Sequence, residues 1–197
     1  MSNYFEELPV GYEDVYSIDA KQTKTGIIFT LLSFVLMVAV GAPLLMFVVD
    51  LSEITSGEAL DYYMPVTVCF IVALFLYIIL HELVHGLFFK IYTKAKLTFG
   101  ISWSCAFCGV PQLYVKKWPM VVTSLAPFVI FNILFLVPIF LVQNTLIATY
   151  LIVLFAIHFG GCVGDLFVSI LLIFKYKGND VLVNDTGAKQ TIYIKKN

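Results

Sequence analysis

Four long apolar segments constrain this chain more than any other feature. An α-helix needs about 20 apolar residues to cross the hydrocarbon core of a bilayer. Four segments reach that length, roughly Thr25 to Val49, Met64 to Tyr92, Pro119 to Val142 and Leu146 to Phe174. Apolar residues make up 60% of the chain and charged residues 13%, which is more apolar surface than one water-soluble core of 197 residues could bury. We therefore expect an all-α polytopic protein in a lipid bilayer, with one membrane domain over residues 1–197 and about four transmembrane helices.

The distribution of lysines predicts how these helices are oriented. The lysines precede the first span, flank the loop between the second and third spans, or follow the fourth span. The loop from about Asp50 to Tyr63 is acidic and has no lysine, and the short loop from Gln143 to Thr145 has none either. By the positive-inside rule we expect a multi-pass protein of the cell membrane with both termini cytoplasmic. The chain has no arginine and a net charge of −1, which argues against a nucleic-acid partner, because such a partner requires clustered basic residues.

Two segments outside the predicted spans have strand-like patterns. In the loop from Lys94 to Trp118, the run from Lys96 to Trp103 and the run Leu113-Tyr114-Val115 have strand-like alternation around the turn at Gly109-Val110-Pro111, which predicts a small β-hairpin at the cytoplasmic face. The tail from Lys177 to Asn197 has two short β-prone runs around a turn sequence, which predicts a second, C-terminal hairpin.

Glu82 and Asp165 are the two carboxylates that lie well inside predicted spans. An ionised side chain in lipid is costly unless it is paired, so both are functional candidates. Glu82 belongs to the pattern His81-Glu82-Leu83-Val84-His85, and residues four apart lie about 40° apart on a helix, so both imidazoles can reach one ion. In the zincin arrangement the histidines bind Zn²⁺ and the glutamate takes a proton from the attacking water. The motif predicts His81 and His85 as zinc ligands and Glu82 as the catalytic base.

A third protein ligand would complete such a centre, and the fourth span offers His158 and Asp165. At 1.5 Å per residue, Asp165 lies about 15 Å from the cytoplasmic end of its span, while the histidine pair lies about 7.5 and 13.5 Å from the end of the second span. His158 would lie about 25 Å deep. We therefore predict that Asp165 is the third metal ligand. The alternative is that Asp165 is a structural residue that hydrogen-bonds Ser169 or a neighbouring helix.

At these residues the chain resembles the site-2-protease-like intramembrane metalloproteases and, more closely, the family of membrane zincin peptidases. The resemblance covers about Met64 to Phe174 and rests on His81 to Gly86, on Ala126-Pro127 with Asn132, and on Gly164-Asp165-Leu166. It implies a zinc site near the cytoplasmic side, Asp165 as the aspartate ligand, and a loop hairpin that adds a strand to an unwound substrate segment. The site-2 pattern typically has glycine after the aspartate, whereas this chain has Leu166, which leaves the substrate class open.

Three other polar sites have a structural interpretation beside a functional one. His158 is best explained as a hydrogen-bonded histidine between helices. Cys105 and Cys108 have the spacing of half a zinc ribbon, but no second pair accompanies them, so we interpret them as incidental. Asn132 could orient a substrate carbonyl or a metal ligand, or it could simply join two helices.

Together these patterns predict a membrane-embedded zinc metalloendopeptidase that cleaves a transmembrane or membrane-proximal protein substrate. Two alternatives stay open. One is a non-catalytic protein that binds a metal in the membrane, and the other is a cation or proton translocator that uses Glu82 and Asp165. The sequence does not decide the substrate, the cleavage site or whether the protein forms a homo-oligomer.

Overall fold

Long apolar helices dominate the computed structural model, which describes residues 2–50, 60–102 and 105–196. In these residues the helices are α1 (Thr23–Val48), α2 (Leu60–Thr93), α3 (Lys117–Leu141), α4 (Thr145–Gly161), α5 (Val163–Ile170) and a π-helix (Leu171–Lys175). Helices α1, α2 and α3 are long and apolar enough to cross a membrane, and α4 with the segment Val163–Lys175 adds a fourth candidate if the two form one broken span. The chain is thus suited to association with a membrane. The acidic loop predicted after the first span lies mostly in residues 51–59, outside the described residues.

The prediction of an all-α protein with two small hairpins was wrong, because the chain is a mixed α/β protein. The described residues form seven strands in two antiparallel sheets: β1 (Tyr4–Phe5), β2 (Tyr12–Asp19), β3 (Thr98–Ile101), β4 (Ala106–Gly109), β5 (Tyr114–Lys116), β6 (Val181–Asp185) and β7 (Lys189–Lys195). Five of them form one sheet in the order β1-β5-β6-β7-β2, and β3 pairs with β4 in the other. Composition could not show this, because strands distant in sequence create the larger sheet.

The five-stranded sheet joins the two ends of the chain. Strand β2 pairs with β7 from Tyr12 opposite Lys195 to Asp19 opposite Lys189, with a bulge between Asp14 and Tyr16. Its buried side chains come from four of its strands and include Ile18, Val115, Val181, Val183 and Ile192. Because these side chains come from strands near both ends of the chain, the core is complete only when the N-terminal and C-terminal strands come together.

Both hairpins predicted from the sequence are present, although one has a different second arm. Strands β6 and β7 flank a turn in which Gly187 has a φ of +93°, a conformation that glycine adopts without steric cost. The loop hairpin pairs β3 with β4 rather than with the later run around Tyr114. That later run is β5, which pairs with β1 and β6 in the larger sheet.

Contacts divide the chain into two units. The first contains Met1–Thr30, His81–Pro127 and Gly164–Asn197, and therefore all seven strands. The second contains Leu31–Leu80 and Phe128–Val163. Within the second unit α1 and α4 approach closely, since a Cβ atom at Gly160 would lie 2.5 Å from Cγ of Met37. The single membrane domain expected from the sequence stays a prediction.

Candidate metal centre

Three of the predicted site residues converge within the first unit. Helix α2 presents His81 and His85 one turn apart, and their rings lie 5.0 Å apart between centroids. Asp165 lies in the first turn of α5. Its Oδ2 atom lies 3.5 Å from Nε2 of His81 and 3.4 Å from Nε2 of His85. One ligand atom from each residue therefore faces a common point, and the three atoms lie within 4.8 Å of one another.

The spacing of these atoms fits a tetrahedral zinc ion. Zinc binds histidine nitrogen and carboxylate oxygen at about 2.0–2.1 Å, which places neighbouring ligand atoms about 3.3–3.4 Å apart along a tetrahedron edge. The two measured nitrogen-to-oxygen distances, 3.5 and 3.4 Å, match that edge. Two imidazoles and one carboxylate are also a common donor set of catalytic zinc, which leaves a fourth position open. The residues present therefore fit a zinc ion along the two edges that meet at Asp165, and all three ligand atoms lie within 4.8 Å of one another.

The ring of His85 is held by a backbone carbonyl. Its Nδ1 donates a hydrogen bond of 2.9 Å to the carbonyl oxygen of Thr123 in α3. Because a carbonyl can only accept, Nδ1 carries the hydrogen and Nε2 is available to a metal. This is the arrangement that orients metal-binding histidines in other proteins. Sequence analysis missed Thr123, because the type of its side chain gives no signal for a role that its backbone plays.

Glu82 has an oxygen available at the same site. Its Oε2 atom is buried and accepts no hydrogen bond from any described residue. Its carboxylate is close enough to His81, His85 and Asp165 to interact with them electrostatically. Protein atoms do not enclose the site completely, since the side chain of Asp165 is 20% exposed. A carboxylate in this position can receive a proton from a water molecule that enters the site.

The β3–β4 hairpin lies against α2 directly after the histidine pair. A Cβ atom at Gly86 would lie 3.0 Å from Cδ1 of Leu97, 3.1 Å from Cζ of Phe99 and 3.5 Å from Sγ of Cys108. Glycine at position 86 therefore allows the hairpin to approach α2 one residue after His85. The small hairpin expected from the sequence is thus a neighbour of the metal centre.

Asp185 is a second residue that sequence analysis did not single out. It ends β6 and is 2% exposed, and its carboxylate accepts hydrogen bonds from the Gly187 amide (2.7 Å) and the Gln190 side chain (2.8 Å). Burial raises its pKa to about 7, although these two hydrogen bonds lower it. Its backbone carbonyl accepts the amide of Val110, the residue after β4, at 2.8 Å. The turn after β6 therefore holds the base of the β3–β4 hairpin.

His158 and Asn132, which the sequence left open, lie in the second unit. His158 is fully buried, and its Nδ1 lies 3.0 Å from the hydroxyl of Tyr77. The rings of Phe131 and Phe135 pack against it. Asn132 donates a hydrogen bond of 2.6 Å to the carbonyl of Phe128 in its own helix. Asn132 is thus satisfied within its own helix, and His158 is packed among aromatic rings with its Nδ1 beside a tyrosine hydroxyl.

The remaining candidates have structural surroundings. Cys108 is buried, burial raises the pKa of its thiol to about 12, and no disulfide joins the four cysteines. Neither Cys105 nor Cys108 belongs to a potential metal-binding cluster within the described residues. The hydroxyl of Ser169 is buried and makes no hydrogen bond to any described residue, so it is not the partner of Asp165.

A comparison with protein families identifies the relatives of this chain. The model of a family described as "Putative zincin peptidase" matches residues 74–179, which is more than half of the chain. The matched range includes the histidine pair, Glu82 and Asp165, and the family supports a zinc-dependent metallopeptidase function. No curated protein and no solved structure matches the chain. On this match and the geometry above, the chain belongs to the putative zincin peptidase family.

Proposed function

We propose that this protein is a membrane-embedded zinc metalloendopeptidase of the site-2-protease type, in which His81, His85 and Asp165 hold the zinc. One observation carries the proposal. The Nε2 atoms of both histidines lie 3.4–3.5 Å from the same carboxylate oxygen, the spacing of ligands around one tetrahedral ion. The buried carboxylate of Glu82 interacts electrostatically with all three residues, and its Oε2 accepts no hydrogen bond from a described residue. A structural zinc site would have a fourth protein ligand and would not need this glutamate.

Each residue of the site has a separate role in the proposed hydrolysis of a peptide bond. Zinc, when bound, supplies a Lewis acid that polarises the scissile carbonyl and lowers the pKa of water towards neutrality. Glu82 then acts as the general base that takes a proton from the attacking water, and afterwards gives a proton to the leaving amine. The carbonyl of Thr123 keeps the His85 ring in place.

The substrate we propose is an extended segment of a transmembrane or membrane-proximal protein that pairs with the free edge of β3. Three other strand edges in the described residues are unsuitable. Strand β1 has two residues, and β2 has a bulge and carries Glu13, Asp14 and Asp19. The edge of β4 is blocked at its C-terminal end, where the turn after β6 lies against it. Strand β3, with the sequence Thr-Phe-Gly-Ile, is uncharged, and its Ile101 is 86% exposed. An edge of this kind favours β-augmentation.

The arrangement of the larger sheet supports a topology with both termini on the same side of the membrane. Strands β1 and β2 precede the first apolar helix, β5 lies between α2 and α3, and β6 and β7 follow the last helix. All five strands share one sheet, so the segments that carry them lie on one side. With the lysines flanking the helices, we assign that side to the cytoplasm.

The first test measures zinc in protein purified in detergent. We expect about one zinc per chain in the wild type and in Glu82→Gln and His158→Ala, and a large loss in His81→Ala, His85→Ala and Asp165→Ala. His158→Ala is the matched control, because it removes a buried intramembrane histidine that is not part of the proposed ligand set. A wild-type protein that binds no zinc after reconstitution would refute the proposal.

The second test detects cleavage of any membrane protein, so it requires no chosen substrate. New peptide termini are identified by mass spectrometry in membranes of cells that express the wild type or Glu82→Gln. We expect termini that depend on Glu82, at a level reduced at least 100-fold in the variant, because the general base is lost. Equal termini in both would exclude the assigned role of Glu82. Absence of new termini in both, with zinc bound, would favour the non-catalytic alternative.

The third test addresses the β3 edge. Ile101→Asp introduces a charge on the proposed substrate-binding strand, and Val15→Asp introduces the same charge on β2. We expect Ile101→Asp to reduce the Glu82-dependent termini about tenfold or more while zinc content is unchanged, and Val15→Asp to have no effect. Equal cleavage by the two variants would exclude β3 as the docking edge.

A further inference from the structure

One carbonyl in the interior of α3 lacks the usual donor of its own helix, the amide four residues later. In an α-helix the carbonyl of each residue accepts from the amide four residues later. For Thr123 that residue is Pro127, which has no amide hydrogen. The proline ring also crowds the carbonyl four residues before it and turns that carbonyl away from the helix axis. Thr123 and Pro127 are both buried, so the carbonyl needs another donor within the protein.

His85 supplies that donor. The carbonyl of Thr123 accepts the Nδ1 hydrogen of His85 at 2.9 Å, and the Nε2 atom of the same ring lies 3.4 Å from the carboxylate of Asp165. The ring is 9% exposed, so water offers little competition for the hydrogen bond. A helix without proline at position 127 would use this carbonyl for its own amide. Helix α3 therefore lacks one i to i+4 hydrogen bond, and the carbonyl left over orients the ring of His85.

We infer that Pro127 is a positioning residue of the metal centre. By leaving the Thr123 carbonyl without a helical donor, it fixes both the tautomer and the ring orientation of His85. The inference rests on the proposed zinc site for its effect on metal affinity. Its effect on the His85 ring exists in the metal-free protein as well. Loss of such an outer partner typically weakens metal binding about 10- to 100-fold.

The chain provides a matched control in the same helix. Pro138 also lies in α3, and the carbonyl four residues before it belongs to Leu134, a residue that is 55% exposed. A change at Pro138 removes an interior proline from α3 without touching the carbonyl that His85 uses. Two changes at Pro127 then separate hydrogen bonding from packing. Pro127→Ala and Pro127→Val both restore the amide hydrogen, but alanine is smaller than proline and valine is larger, so a loss common to both does not come from a cavity.

The experiment observes the imidazole hydrogens directly. The sequence has three histidines, so protein labelled with ¹⁵N-histidine gives three ring systems, and His85→Ala identifies one of them. In the metal-free wild type and in Pro138→Ala, we expect a slowly exchanging Nδ1 hydrogen on His85. In both Pro127 variants we expect that hydrogen to exchange rapidly with water. Zinc affinity, measured by competition with a chromophoric chelator, should fall about 10- to 100-fold in the same two variants only.

Each outcome decides the inference. An unchanged Nδ1 signal in either Pro127 variant would overturn it, and a loss in Pro127→Ala with retention in Pro127→Val would assign Pro127 to packing instead. If one of the two variants does not fold, Pro127→Cys, whose side chain is close to proline in volume, takes its place, and the same comparison between two variants decides. A wild-type protein that binds no zinc would refute the proposed function, whereas the metal-free spectra would still test Pro127. The two failures are therefore distinguishable.

Discussion

Replacing Asp185 by asparagine should stabilise the protein at neutral and alkaline pH and leave its stability unchanged in acid. Burial raises the pKa of Asp185 to about 7, whereas in the unfolded chain it returns to its ordinary value of 3.8. The folded protein thus holds a proton that the unfolded chain has lost between these two pH values. By linkage, the wild type loses stability as pH rises from about 4 to about 7.

The size of the effect follows from the shift in pKa. Each pKa unit corresponds to about 1.4 kcal/mol, so a change from 3.8 to about 7 amounts to about 4 kcal/mol at full ionisation. The asparagine variant keeps an oxygen for the amide of Gly187, and the side-chain amide of Gln190 can turn to accept from the new NH₂ group. It therefore avoids the ionisation without losing the turn. For a chain of this length, about 4 kcal/mol corresponds to about 8–16 °C in Tm.

The assay is thermal unfolding in detergent at a series of pH values from about 4 to about 8. Asp180→Asn is the control, since it removes a carboxylate from an exposed position just before β6. We expect the Tm of Asp185→Asn to exceed that of the wild type increasingly as pH rises, and Asp180→Asn to follow the wild type. If the curves of Tm against pH were parallel for all three proteins, Asp185 would not be the group that keeps a proton in the folded protein up to about pH 7.

Three further predictions concern the turn after β6, a buried thiol and the metal. Gly187→Ala should lower Tm strongly, because position 187 has a φ of +93° and a Cβ atom there would collide with the ring of Phe107. Gly178→Ala, where a Cβ atom meets nothing within 4 Å, should leave Tm unchanged, and thermal unfolding of the two variants checks this. The thiol of Cys108 should resist alkylation at about pH 8 until the protein unfolds, since its pKa is about 12, and mass spectrometry measures this. Removal of zinc by a chelator should lower Tm by about 6–12 °C in the wild type and not in His81→Ala, as expected if zinc binds the folded state with about 3 kcal/mol of stabilisation.

The sequence predicted those parts of the structure that depend on local periodicity. The spacing of His81 and His85 and the depth of Asp165 follow from the rise and twist of a helix, and the structure brings these three residues together. The hairpin of β6 and β7 follows from a turn between two β-prone runs. Each of these features spans few residues or lies on one regular element, so the pattern alone contains the information.

The larger sheet could not be predicted in this way. Strand β2 has three acidic residues in eight, and its partner β7 lies far away in sequence, as the contact between the hydroxyls of Ser17 and Thr191 shows. Strand propensity depends on the neighbours that a strand finds, and those neighbours are set by the fold of the whole chain. Strand β1, with two residues, carries no pattern at all. The all-α prediction failed because it rested on the apolar segments and did not consider that the polar ends of the chain pair as strands.

The partner of His85 shows that some of the missed information was nevertheless present in the sequence. The helical rise per residue, which was used to select Asp165, also applies to α3. There Thr123 lies six residues, or about 9 Å, from the start of the helix at Lys117. His85 lies five residues, or about 7.5 Å, before Lys90. The carbonyl that Pro127 leaves without a helical donor is therefore at the depth of the histidine. In lipid such a carbonyl must find a donor within the protein. A proline placed four residues after a residue at the depth of His85 therefore indicates, from sequence alone, the carbonyl that orients this metal ligand.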